Sequence, residues 1–191
     1  MSREGGRAIG AMPAGVTLSA LSGVRDQRGH LVEVHRARVP SGGPRPVQWN
    51  ALVSSANTLR GMHVHVEHTD WVAVLDGAAV FHLVDLRGGP DAPLPPALAI
   101  ELDGDASTML VIPPGVLHGI YTPDHSVLLN GLSHGYDPND DVAVRYDDPA
   151  LGIDWGPIDP VLSARDRDAG NLASLFAGLA ARRTPLPSLP A

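Results

Sequence analysis

The stretch LRGMHVHVEHTDWVAVLDG, residues 59–77, constrains the chain more than any other. His63 and His65 stand two apart in an apolar run, so on a strand their side chains share one face. Asp70 opens a second apolar run that ends at Gly77. Residues 112–119, IPPGVLHG, then present His118 just past a Pro-Gly turn. Folded as neighbouring strands of a barrel, these segments bring His63, His65, Asp70 and His118 to one point. Three imidazoles and a carboxylate form a ligand set for a divalent transition metal, with Fe, Zn, Ni and Mn all admissible.

The rest of the chain supplies the strands. Short apolar runs recur over 16–21, 31–36, 47–55, 78–86, 98–103, 108–112 and 126–133, separated by turn sequences such as DQRGH, DGDAS and TPDH. With 21 Gly and 18 Pro scattered among them, the spacing predicts an all-β antiparallel barrel or jelly roll. Residues 1–14 read as a flexible arm and 15–170 as the barrel. Residues 136–160, rich in Asp and Pro, read as ordered loop. Residues 171–191 read as one helix, over 171–181 and capped by Asn171 or Asp168, followed by a frayed Pro-rich tail.

Composition excludes several functions. A formal net charge of −7 without a basic run argues against nucleic-acid binding. No apolar segment approaches the roughly 20 residues of a membrane span, and the N-terminus lacks a signal-peptide pattern, so a cytoplasmic protein is expected. Cysteine is absent, which leaves His, Asp and Glu as metal ligands. Against a metal stands the plainer reading that these histidines merely line a barrel. His30, His35, His68, His82, His125 and His134 lack company in sequence and read as surface or packing residues, and Glu67 as a turn residue.

The pattern His63-x-His65-x4-Asp70-x6-Gly77 with Pro113-x-Gly115-x2-His118 resembles the two motifs of the cupin superfamily, with Asp in place of the usual Glu and Thr122 where Asn is common. A wider resemblance covers residues 15–175. DQRGHLVEV, VQWNALVSSANTLRGMH, VAVLDG, VDLR, IPPGVLHG, GYDP, YDDPALGIDW and LSARD are similar, in order, to the dTDP-4-dehydrorhamnose 3,5-epimerase family. Its members are dimeric cupins that act without metal on a nucleotide-linked 4-keto-6-deoxy sugar.

The resemblance implies a fold, a homodimer, a small-molecule substrate of the dTDP-sugar kind and a set of site residues. His63 matches the family's general base and Asp166 the carboxylate that orients it. Arg60 matches a diphosphate contact, and Gln48 and Asn50 match polar pocket residues. Arg28 and Glu33 match residues offered to the partner's site. Three positions depart: the family's active-site Lys falls on Asp70, its catalytic Tyr on Asn130, and the Gln two past the base on His65. Tyr136 and His134 become the candidate proton donors.

The departures that remove Lys and Gln also complete the metal set, so a metal is expected to replace the lysine's charge. His63 is then either ligand or base, because one lone pair cannot serve both. An epimerase or isomerase leads. The alternatives are a metal-dependent tailoring enzyme (oxygenase, cyclase or lyase) on a non-nucleotide molecule, and a non-enzymatic binding cupin.

Overall fold

The structure, a computed structural model, describes residues 7–35 and 44–189. The expected arm over 1–6, Arg36, the loop over 41–43 and the last two residues of the tail lie outside that range. The strands run β1 (Arg7–Ile9), β2 (Thr17–Ala20), β3 (Ser22–Asp26), β4 (Gly29–Glu33), β5 (Gln48–Ser54), β6 (Thr58–His65) and β7 (Asp70–Asp76). They continue as β8 (Ala78–Asp85), β9 (Leu98–Asp103), β10 (Thr108–Ile112), β11 (Val116–Thr122), β12 (Ser126–Leu132) and β13 (Asp141–Ala143). Two helices follow, α1 (Ala164–Arg167) and α2 (Leu172–Arg182).

Two antiparallel sheets face each other, one in the order β1-β9-β8-β11-β6-β13 and one in the order β2-β10-β7-β12-β5. The expected cupin jelly roll with a C-terminal helix is what forms. Phe81, Leu83, Ile100, Leu110 and Leu128, drawn from both sheets, close one end of the barrel as a dry core. Polar residues occupy the other end. The six-stranded sheet is also covered outside, where Leu172, Leu175 and Leu179 of α2 pack on Met62, Val64, Val84 and Leu117. Burying each leucine contributes about 1.5–3 kcal/mol, and covering both faces explains why β6 and β11 are apolar at both parities. Asn171 caps α2, its side chain accepting from the Ser174 amide at 2.9 Å.

Four expectations change. Arg7–Ile9, assigned to the arm, is an edge strand on β9, with Ala8 opposite Ile100. The 136–160 loop contributes β13, which pairs with β6. LSARD holds a short helix, α1, capped by the Ser163 side chain accepting from the Asp166 amide. The tail is not free along its length, because Leu186 packs against the α2 cluster. The hairpin β3–β4 stands apart as a two-stranded sheet, and Val24 and Leu31 on it are each 69% exposed. No helix among the described residues is long and apolar enough to cross a membrane.

Candidate active site

Two glycines set the site's geometry. Gly61 of β6 has φ +126°, and a Cβ there would lie 2.7 Å from the Gly119 Cα and 2.9 Å from the His118 carbonyl oxygen. Only hydrogen at both positions lets β6 and β11 approach so closely. Their pairing sets His118 opposite His63, with the register shifting between His118 and Ile120. Both histidines and His65 therefore open into the polar end of the barrel. The cavity there holds about 260 Å³ and is lined by residues that include Arg60, His63, His65, His68, Asp70 and His118.

His63 Nε2 lies 2.7 Å from Asp166 Oδ1. A carboxylate only accepts, so Nε2 carries the proton and Nδ1 is left as the basic nitrogen. Burial alone would raise the Asp166 carboxyl, but the hydrogen bond and charge of His63, with the Ser163 hydroxyl, hold it below the ordinary carboxylate range. His63 is thus held in a His–Asp pair. His63 is not in the cluster that could hold a cation.

That cluster has a different membership from the one expected. Ligand atoms of His65, His68 and Asp70 lie within 4.8 Å of one another. His65 Nε2 is 3.1 Å and His118 Nε2 3.5 Å from Asp70 Oδ2, and His68 Nε2 is 3.6 Å from Oδ1. His65 and His68 stack with ring centroids 3.7 Å apart. His68, read from sequence as surface or packing, is 2% exposed and takes the place expected for His63. The signal was available: His68-x-Asp70 has the same two-residue spacing as His63-x-His65.

Electrostatics in the cluster follow from burial. Burial opposes ionisation of Asp70, yet the surrounding imidazoles more than offset it and hold the carboxyl below its ordinary range. Burial pushes the His118 imidazole down to about 4 despite the attraction of Asp70. For His68, burial is outweighed by Asp70 and Asp140 together, and its value is raised.

Two residues that sequence reasoning missed tie both halves together. Asp141 Oδ1 is 3.9 Å from His63 Nδ1 and 3.7 Å from His65 Nδ1, and its other oxygen is paired with Arg165. Burial would raise this carboxyl, but the Arg165 guanidinium and the two histidines keep it lowered. Neither residue sits in a motif of paired histidines, and β13 carries Asp141 in from 76 residues beyond His65.

The expected substrate residues divide. Asn50, Arg60 and Asn130 line the cavity, as does Tyr136. Gln48 stands behind them, donating to Asn50 Oδ1 at 3.0 Å and accepting from the Tyr136 amide at 2.9 Å. Arg60 Nε donates to Ser54 Oγ at 3.1 Å. Asn130 Oδ1 is buried without a hydrogen-bond partner. Arg28 and Glu33 are not among the residues lining this cavity. Arg28 sits at the β3–β4 turn, 2.6 Å from Asp26 Oδ2. His134 bonds to Ser133 Oγ at 3.0 Å and does not line the cavity either.

Comparison with known proteins places this geometry. The sequence profile of dTDP-4-dehydrorhamnose 3,5-epimerase matches residues 13–174. A dTDP-4-dehydrorhamnose 3-epimerase of Streptomyces niveus is 34% identical over 160 residues, covering 78% of this chain and 75% of the relative. The epimerase RmlC of Legionella pneumophila, solved with dTDP-4-keto-L-rhamnose, superposes with TM-score 0.78 at 26% identity over 97% of this chain and 100% of that one. ChmJ, a 3'-monoepimerase of Streptomyces bikiniensis solved with dTDP-quinovose, gives 0.76 at 28% identity over 91% and 89%. The chain belongs to the dTDP-4-dehydrorhamnose 3,5-epimerase family.

Proposed function

We propose that this protein is an isomerase that epimerises a dTDP-linked 4-keto-6-deoxy sugar at a carbon beside the ketone. The observation that carries the reading is the His63–Asp166 contact of 2.7 Å at the wall of the cavity. His63 Nδ1 takes the proton from the carbon next to the carbonyl, and Asp166 steadies the imidazolium that results. The carbanion is held as an enolate while Tyr136 returns a proton to the opposite face of the sugar. Arg60 supplies a planar fork for the diphosphate, with Asn50 and Asn130 as amide contacts to the sugar or base. A tailoring enzyme on a non-nucleotide molecule is not favoured, since Arg60 and Asn50 line the cavity beside the base.

The proposal extends to a cytoplasmic homodimer. The exposed apolar pair Val24 and Leu31 gives the β3–β4 hairpin a surface suited to a second copy of the chain. Arg28 at its turn, with Glu33 on β4, would then complete the partner's cavity.

Incubation with a dTDP-4-keto-6-deoxy sugar in heavy water tests the reaction. Enzyme-dependent deuterium at C3 or C5, seen by NMR, is expected from wild type and not from His63→Asn. Absence of exchange with the wild-type protein would overturn the reading.

A further inference from the structure

Around Asp70 the hydrogen bonds of two histidines fix which nitrogen is bare. Asp140 accepts from the amides of Val66, Glu67 and His68, at 2.6, 2.8 and 3.2 Å. It accepts a fourth hydrogen bond from His68 Nδ1, at 2.6 Å. Nδ1 must therefore carry a proton, and in the neutral ring the lone pair then sits on Nε2, which faces Asp70. His118 is set the same way, its Nδ1 donating to the Val116 carbonyl at 3.1 Å and its Nε2 facing the same carboxylate.

A purely hydrogen-bonded role for this cluster does not suit the geometry. Asp70 is 1% exposed and neither of its oxygens has a hydrogen-bond partner, nor does His68 Nε2, which faces it. Burying such groups without a partner is costly. Charging both stacked rings would set two cations 3.7 Å apart. One divalent ion in their midst removes both difficulties. Ligands about 2.0–2.1 Å from a tetrahedral centre stand about 3.3 Å from one another, close to the 3.1 and 3.5 Å at which His65 Nε2 and His118 Nε2 stand from Asp70 Oδ2, while His68 Nε2 stands 3.6 Å from the other carboxylate oxygen.

We propose that His65, His68 and Asp70, joined by His118, bind one divalent transition-metal ion, with Asp140 and the Val116 carbonyl fixing the tautomers of two ligands. A histidine ligand that donates its other ring proton to a carboxylate or a carbonyl is the usual supporting arrangement of such sites. Three imidazoles and one carboxylate suit zinc, iron(II) or nickel. His63 lies outside the set, so the base keeps its lone pair. The further step, that the ion offsets charge on the substrate's keto oxygen in place of a lysine, rests on the epimerase reading; the binding itself does not.

The test uses full-length, tag-free protein stripped with chelator and checked for fold by circular dichroism. Titration with Zn²⁺ by calorimetry, and with Co²⁺ by visible absorption, should show about one ion per chain. His68→Ala should abolish stoichiometric binding, and Asp140→Asn should weaken it about 10–100-fold. Asp70→Asn adds a third measurement if its fold survives. His63→Asn should bind as wild type does. Failure of the stripped wild-type protein to bind either ion stoichiometrically would overturn the site, as would binding lost in His63→Asn but kept in His68→Ala. Deuterium exchange compared before and after loading separates the two readings: binding without exchange in either state leaves the site standing and removes the epimerase.

Discussion

Nε2 of His63 and Oδ1 of Asp166 lie 2.7 Å apart although 103 residues of chain separate them. Strand β6 presents the imidazole, and the Ser163-capped first turn of α1 presents the carboxylate. Asp166→Asn preserves shape but removes the charge that holds the tautomer. It should lower kcat about 10²–10⁴-fold with little change in KM. Steady-state kinetics of that variant, of His63→Asn and of the double variant should show strong non-additivity, because the two residues act as one unit.

In the proposed reaction Tyr136 serves the second proton transfer and His63 the first. Its amide donates to Gln48, and its side chain lines the cavity while the residue remains 55% exposed. Tyr136→Phe should still exchange substrate hydrogen for deuterium, because His63 is intact. Formation of the epimer should fall about 10²-fold. Running NMR exchange and product analysis on one sample measures both.

Gly61 admits no side chain. Besides its φ of +126°, a Cβ would press on Gly119 and the His118 carbonyl. Gly61→Ala should therefore destabilise the fold by more than about 2 kcal/mol. Chemical denaturation should show a lower midpoint at unchanged slope.

Asp148 ties the turn before the helices to α2. Its two oxygens accept from the Ala150 amide at 3.0 Å and the Leu172 amide at 2.6 Å. Asp148→Ala strands a buried amide at the start of α2, at a cost of about 1–3 kcal/mol. A drop in Tm of several degrees, with the spectrum of the folded state unchanged, is the expected result.

The proposed dimer is tested at its hairpin. Val24→Glu combined with Leu31→Glu places charge at two sites now 69% exposed and apolar. Light scattering coupled to gel filtration should report a monomer for the variant and a dimer for wild type. Both proteins should have the same thermal transition at low concentration.

Much of the barrel was legible because strand length and turn residues are local properties. Residues 59–65 and 70–76 could be read as strands from their short apolar runs and flanking turn residues alone. Asn171 announced a helix for the same reason. What could not be read was long-range. Asp140 meets His68 across 72 residues and Asp141 approaches His65 from further still, and nothing in PNDDVAV marks either as a site residue. Of the four residues expected to meet, His65, Asp70 and His118 do converge. Parity placed His63 with them correctly as to face, but parity carries no information about α1, whose carboxylate occupies its Nε2. Arg28 and Glu33 were legible only as a match of motifs, because a single chain gives them no cavity to enter.

Strand β6 carries the base and a member of the Asp70 cluster on one face, two residues apart. A slip of one position would turn both histidines out of the barrel together. The proposed base and the proposed ion ligand thus share a single strand: substitutions that swap one side chain leave the other in place, whereas a change in backbone path forfeits both. Descendants of this chain could exchange acid–base work for ion-dependent work, or run them side by side, without rebuilding the scaffold.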